Sequence, residues 1–335
     1  MLILRQNRKS LILGPIILLS GALTTWACNI PVFRFALERW RPDVGEILVF
    51  TGSSLTQSQS LLVQQLKEEC GREGVNLQLR RVDIDAEQSE EYRFAWQSLE
   101  RECNAKAPYV LVRCRHPKAE GNGFVNAWHG SLEAASKASI GDSPARKELA
   151  RRLLAGHAVV WLVIPGEDEK ATQDCISKLQ TRCKQLESYV ELPDGIGLPG
   201  SELYSEVPLL VQFSVLQLDD EAHEELFFKN WLRGFYGVEK SEHEPLVVPV
   251  FGRGRALEVI PASSVNDALI EDLTLFLCGA CSCQVKDMNP GFDLLLDAQW
   301  ETDLFGEDGL VPSPEPPKMQ QSPVLLQIPP GRRKQ

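Results

Sequence analysis

The stretch EILVF at residues 46–50, followed by TGSSLT at residues 51–56, decides how the first half of the chain is interpreted. The apolar run is typical of a buried strand, and the glycine and serines after it are typical of a turn. Residues 55–70 follow with apolar side chains at helical spacing, and Gly71 ends the predicted helix. A strand, a tight turn and a helix therefore open this half.

The rest of this half, to residue 157, continues the alternation of strands and helices. The predicted elements are a strand at Val75–Ile84, a helix at 88–103, strands at Tyr109–Cys114 and Phe124–His129, and a helix at Pro144–Leu154. Pro108 leads directly into the third strand. The order of elements over residues 45–157 is β-α-β-α-β-β-α.

Residues 158–283 give the same order a second time. The predicted elements are a strand at Ala158–Ile164, a helix at Glu167–Leu192, a strand at Pro208–Leu218, a helix at Asp220–Phe235, strands at Val250–Phe251 and Ala256–Ile260, and a helix at 266–278. Pro249 again precedes the third strand. The repeated order predicts two domains of the α/β class.

This β-α-β-α-β-β-α order, with a proline at the start of the third strand, resembles the thioredoxin fold. The resemblance implies cis peptide bonds before Pro108 and Pro249, beside a surface that binds extended substrate backbone in the enzymes of the family. A working thioredoxin carries Cys-x-x-Cys at the start of its first helix, where the helix N-terminus favours the thiolate. The corresponding residues, 51–56 and 165–168, hold no cysteine. The sequence therefore predicts two redox-inactive thioredoxin-like domains.

The first 27 residues are predicted to be a signal peptide or membrane anchor, because a basic stretch ending at Lys9 precedes an uncharged run at 10–27. Thr25–Trp26–Ala27–Cys28 resembles the lipobox of bacterial lipoproteins, which implies a lipid on Cys28. Cleavage after Ala27 and retention as a membrane-spanning helix are the alternatives. We expect an exported protein that stays attached to a membrane of the cell envelope by its N-terminus.

Three segments lie outside the two predicted domains. They are a lead-in at 28–44 with one or two helical turns, an appendix at 284–310, and a Pro-rich tail at 311–335 that is predicted to be disordered. The sequence words at Cys28–Trp40, Pro249–Leu257 and Gly279–Leu296 together resemble an uncharacterised family of exported planctomycete-type proteins. That resemblance implies no particular activity.

Two classes of function are excluded by the sequence. The chain has 46 acidic and 35 basic side chains, a net charge of −11, and such a charge repels nucleic acid phosphates. The string Gly195-Ile-Gly197-Leu-Pro-Gly200 matches G-x-G-x-x-G but follows a predicted helix rather than a strand. A dinucleotide site needs a strand, a tight turn and then a helix, so we predict a plain loop there.

The densest group of cysteines is Cys278, Cys281 and Cys283. Its thiols could bind a soft metal such as Cu(I) or Zn(II), or Cys278 and Cys281 could form a redox pair. The alternative is a structural disulfide or buried thiols. It is favoured because the group follows a helix C-terminus, which raises thiol pKa, and because no histidine lies close to it in sequence.

Two further groups are weaker candidates. Cys114 and His116 share one face of a strand and could form a three-ligand site with His129 on the neighbouring strand. The alternative is a structural role for these histidines. Arg253 and Arg255, each preceded by glycine, could clamp an anion, and the alternative is a solvated hairpin turn.

The sequence predicts a non-catalytic binding or scaffold protein with no cofactor. Its expected partners are the membrane, through the N-terminal lipid or anchor, and envelope proteins or peptides. The alternative is a protein that handles thiol redox chemistry or a soft metal, Cu or Zn, through Cys278, Cys281 and Cys283.

Overall fold

The computed structural model describes residues 29–307, apart from 53, 87–88, 118, 120–122, 220, 236–242 and 283. The predicted signal segment, the lipidation site Cys28, Cys283 and the Pro-rich tail lie outside the described residues. Within the described part, no helix has both the length and the apolar character needed to cross a membrane.

The first domain follows a short helix, α1. The elements are α1 (Val32–Arg39), β1 (Gly45–Thr51), α2 (Gln57–Cys70), β2 (Leu77–Asp83), α3 (Glu90–Cys103), β3 (Tyr109–Arg115), β4 (Phe124–Ser131), α4 (Leu132–Ala135) and α5 (Pro144–Leu154). The sheet order is β2-β1-β3-β4. β1 is parallel to β2, whereas β3 is antiparallel to both β1 and β4. This is the topology of the thioredoxin fold.

The second domain repeats that topology. Its elements are β5 (Val159–Ile164), α6 (Glu169–Glu187), β6 (Phe213–Gln217), α7 (Leu226–Gly234), β7 (Leu246–Phe251), β8 (Arg255–Ala256), β9 (Ile260–Pro261) and α8 (Asp267–Cys278), followed by β10 (Phe292–Asp293) and α9 (Trp300–Phe305). The sheet order is β10-β8-β7-β5-β6, and β9 also pairs with β7. The predicted fold class, two tandem thioredoxin-like domains, is confirmed.

The central strands form where the sequence is apolar without alternation. β5 reads VVWLVI and β7 reads LVVPVF, and every residue of both is buried. Such runs are typical of strands covered on both faces of a sheet. The helices begin at residues that cap free N–H groups: Thr56, Ser89, Asp168 and Asn266 each accept a hydrogen bond from the first helical turn.

Among the described residues, three hydrophobic cores lie on the faces of the two sheets. One face of β3 supplies Val110 and Val112 to a core that also contains Val160 and Leu162 of β5, so this core joins the two domains. The opposite face of the first sheet packs under α3, around Leu48 and other apolar residues. The opposite face of the second sheet packs against α1, α6 and α8.

The segments at the two ends of the described chain belong to these cores. α1 is almost wholly buried against the second domain, and the 3.0 Å Val32 N to Gly279 O hydrogen bond joins it to the residues after α8. At the other end, Leu294, Leu295 and Leu296 follow β10 and lie in the core between the two sheets. The strand β10 was not predicted, since two residues are too few to produce a periodic pattern.

The two prolines that precede the predicted third strands differ. The Ala107–Pro108 peptide bond is cis, as the sequence predicts, and it is the only cis bond among the described residues. The prediction of a cis bond at Val248–Pro249, at the start of a strand, is wrong, because Pro249 lies inside β7 opposite Trp161. The Pro249 carbonyl accepts a hydrogen bond from Leu257 N, and in a strand the nitrogen of a residue points to the same side as its carbonyl. On that side of β7, the neighbouring strand changes from β9 to β8 next to Pro249. A missing N–H is tolerated at such an interruption.

Candidate functional site

The candidate site of the first domain lies where β1 ends and α2 begins. Thr56 caps α2: its hydroxyl accepts from Gln59 N at 3.3 Å, and the Gln59 side chain accepts from Thr56 N at 3.1 Å. Phe50 pairs with Tyr109 across β1 and β3, which brings Pro108 beside the end of β1. Ser54 and Thr56 are exposed there. The site therefore has an open surface, and its helix N-terminus is satisfied by its own chain.

In the second domain, the turn before α6 packs at Gly166 against residues 243–245 of its own chain. Asp168 caps α6, accepting from Lys170 N at 2.9 Å and Ala171 N at 3.2 Å. A Cβ built on Gly166 would lie 2.7 Å from backbone atoms of residues 243–245. Arg233 donates to the Pro165 carbonyl from α7. Among the described residues of this turn, Gly166 is therefore packed against its own chain, whereas the cap residue Asp168 is exposed.

The predicted cysteine site sits in the core beneath α1. Cys278 and Cys281 are each 1% exposed, and Cys281 N donates to Ile30 O at 2.9 Å. Burial raises the pKa of the Cys278 thiol to about 12, so it is almost wholly protonated at neutral pH. No group of metal-ligating side chains is found among the described residues, and metal binding with Cys283 stays a prediction. The burial favours the reading of structural thiols for Cys278.

The prediction of an anion clamp at Arg253 and Arg255 is wrong. Both residues are buried, which also excludes a solvated turn. Arg253 donates to the carbonyls of Leu37 and Glu38, at 2.7 and 3.0 Å, and to Glu301 at 2.8 Å. Arg255 donates to the carbonyls of residues 289 and 290 and to residue 293. These donors join the two arginines to α1 and to residues 289–301.

The predicted three-ligand site of Cys114, His116 and His129 is not assembled. His129 pairs with Leu111, three residues before Cys114 and about 10 Å away along the strand. Leu111 faces the α3 core, whereas Cys114 faces the opposite core, so the two side chains lie on different faces of the sheet. The His116 ring stacks against the Phe235 ring, with 4.8 Å between the ring centroids. It thus lies at the contact between the two domains.

The string at residues 195–200 is a loop, as predicted. Gly195, Gly197 and Gly200 all have positive φ angles, which glycine adopts without strain. The loop contacts the start of the described chain, where Asn29 N donates to Ser201 Oγ at 3.0 Å.

A group that the sequence analysis missed lies one residue beyond Pro108. The ring of His129 is held between two side chains: Nδ1 is 3.0 Å from Tyr109 Oη, and Nε2 is 3.7 Å from Cys103 Sγ. Cys103 is exposed, unlike every other described cysteine, which is buried or half-buried. The hairpin register could have indicated the Tyr109–His129 contact, but the position of Cys103 depends on how α3 ends.

The comparisons with known proteins do not identify a family. No model of a protein family and no curated protein matches the sequence. Among solved structures, the first two thioredoxin domains of Saccharomyces cerevisiae Eps1p share 12% identity and cover 65% of this chain and 85% of theirs, at a TM-score of 0.20. The same two domains of Naumovozyma dairenensis Eps1p share 12% identity and cover 72% and 93%, at a TM-score of 0.17.

These TM-scores are too low for the overlays to carry an argument, and the fold follows from strand order and pairing. By that order the described chain is a tandem of two thioredoxin-like domains.

Proposed function

We propose that this protein is an exported, membrane-anchored binding module that holds an extended segment of a partner protein at the open end of its first domain. The observation that carries the proposal is the pair of helix N-termini at the thioredoxin positions. Both are capped by their own oxygen-bearing side chains, Thr56 and Asp168, where an enzyme of the fold would have a nucleophilic cysteine. The two domains have the thioredoxin-like sheet and helices but no cysteine at the position of the family's redox site.

The first domain is the one that would bind. Ser54 and Thr56 are exposed beside the loop before β3, whereas Gly166 at the matching turn of the second domain packs against residues 243–245. The second domain then serves as a support: one hydrophobic core joins the two sheets, and α1 is built into its other core. The alternative function, thiol or soft-metal chemistry at Cys278, Cys281 and Cys283, gains no support from the buried, protonated Cys278 thiol.

The binding surface is tested by photo-crosslinking in cells. A photoreactive amino acid is placed at Ser54, and in a matched control at Gln64, which is exposed on α2 about two turns further on. We expect the Ser54 variant to form a discrete adduct with an envelope protein through an extended segment, which mass spectrometry identifies. Equal adducts from both positions, or none from Ser54, would contradict a binding surface at this place.

The anchor is tested independently of binding. We expect Cys28→Ala to abolish labelling by a radioactive fatty acid and to release the protein from the membrane fraction, because the lipid is attached through that thiol. Fractionation and immunoblotting of wild-type and mutant cells measure the effect, with Cys70→Ala as the control. A Cys28→Ala chain that remains in the membrane with its N-terminus uncleaved would show that the anchor is a helix.

A further inference from the structure

Cys103 and His129 are brought together by the way α3 ends. Cys103 is the last residue of α3, and Asn104 then adopts the left-handed conformation, with φ 50° and ψ 40°. Asparagine tolerates this conformation better than most residues, and it turns the chain back toward β3. Tyr109 begins β3, and His129 is its diagonal neighbour on β4. Diagonal neighbours are within reach of aromatic side chains.

The three side chains form a linear chain of polar contacts on the surface. Tyr109 Oη lies 3.0 Å from His129 Nδ1, and His129 Nε2 lies 3.7 Å from Cys103 Sγ. Burial, followed by the charge of nearby Cys103, raises the pKa of the Tyr109 hydroxyl, which therefore stays protonated at neutral pH. When Nδ1 carries the ring proton and donates a hydrogen bond to Tyr109 Oη, the lone pair of Nε2 faces the Cys103 thiol. This is a nucleophile, a base and a third group that orients the base.

Cys103 lies in the last turn of α3, with its sulfur in contact with His129 Nε2. The activation available here is removal of the thiol proton by His129 during attack. Among the described cysteines no second exposed thiol is present that could resolve an adduct. These features fit a single modifiable thiol and not a dithiol redox pair.

We infer that Cys103 is a reactive thiol for which His129 serves as general base, and that it forms a mixed disulfide with low-molecular-weight disulfides. The Cys103 sulfur attacks one sulfur of the reagent, the S–S bond of the reagent breaks, and a new S–S bond forms at Cys103. The thiol proton passes to His129 Nε2 and then to the departing thiolate. One disulfide is exchanged for another, so no further oxidant is needed. The site differs in position from the cysteine-free turn at residues 51–56 and does not depend on partner binding there.

The test uses oxidised glutathione and the full chain purified in detergent. Mass spectrometry after digestion is expected to find glutathione on Cys103, and not on the buried Cys175, Cys183 or Cys278. Cys103→Ser removes the adduct. His129→Gln keeps a polar side chain without a base. We expect it to slow modification of Cys103 by at least about tenfold, since general-base catalysis usually contributes more than that. The control His223→Gln, which removes an exposed histidine elsewhere, leaves the rate unchanged.

Two comparisons keep the result independent of folding. Circular dichroism of His129→Gln must match the wild type, and a synthetic peptide of residues 98–108 gives the reactivity of the same thiol without the fold. We expect Cys103 in the folded chain to react about tenfold faster than in the peptide. A rate equal to that of the peptide, or a His129→Gln variant that matches the wild type, would overturn the inference.

Discussion

Replacing Glu225 with alanine is expected to destabilise the folded protein by about 3–5 kcal/mol, since it removes the acceptor of two buried hydrogen bonds and one of the anions near a buried cation. Glu225 precedes α7 in the second domain and is 1% exposed. Its carboxylate accepts from the Ser143 hydroxyl and from Ala145 N, both at 2.6 Å, at the start of α5 in the first domain. It therefore caps a helix of the other domain.

The buried cation in question is Arg146. It is 1% exposed and donates to the carbonyls of Ile140 at 2.8 Å and of Leu295 at 3.3 Å. Burial lowers the pKa of Arg146 to about 10, and the charge of Glu225 is one of those that oppose this shift. Without Glu225, the guanidinium loses a nearby anion and Ser143 loses its acceptor.

Urea denaturation of the purified full chain measures the effect, and Glu224→Ala is the matched control because Glu224 is the exposed neighbour. We expect Glu224→Ala to change the free energy of unfolding by less than about 0.5 kcal/mol. If Glu225→Ala were equally harmless, the carboxylate would not be holding the two domains together.

Glu38→Ala is the second substitution with a large expected effect, again about 3–5 kcal/mol. Glu38 lies in α1 and is 1% exposed. It accepts from Arg34 Nε at 2.8 Å and from the backbone N–H groups of Tyr204 and Ser205 at 3.1 Å. Arg39 donates to the same carboxylate at 2.9 Å. The substitution leaves four donors without their acceptor.

Arg34 makes this loss costly because it is itself 1% exposed. Burial lowers the pKa of Arg34, and Glu38 is the group that chiefly opposes the shift. Thermal unfolding of Glu38→Ala and Glu38→Gln separates charge from hydrogen bonding: glutamine still accepts, and we expect it to retain part of the stability. The exposed Glu206→Ala is the control. A melting temperature for Glu38→Ala equal to that of the control would refute this account of α1.

The central strands and most of the helices could be predicted because their signals are local. The run 47–50 and the run 159–164 are apolar, and residues such as Ser143 and Pro144 mark a helix start within a few positions. The proline before β3 was also correctly interpreted. These features depend on backbone preferences and on periodicity that extends over a few turns.

The arginine and cysteine sites could not be predicted because their partners are distant in sequence. Arg253 resembles an exposed turn residue between glycines, yet its carbonyl acceptors lie 215 and 216 residues away in α1. β10 contains only two residues, so its pairing with β8 has no sequence period. Cys103 and His129 are 26 residues apart and meet only through the end of α3 and the register of β4.

The two ends of the described chain are joined by hydrogen bonds, so these contacts can form only late in the synthesis of the chain. Trp40 Nε1 donates to the Gln284 carbonyl at 3.0 Å, and Asp43 N donates to Asp293 at 2.6 Å, across more than 240 residues. A nascent chain has made α1 long before it has made these acceptors. Contacts of such high sequence separation form late.

Until synthesis passes β10, the second sheet lacks its last strand, and the core between the two sheets lacks Leu294, Leu295 and Leu296. The core between the two sheets is therefore complete only after residues 292–296 emerge, and a chain interrupted before residue 292 would expose the apolar surfaces that chaperones and proteases recognise.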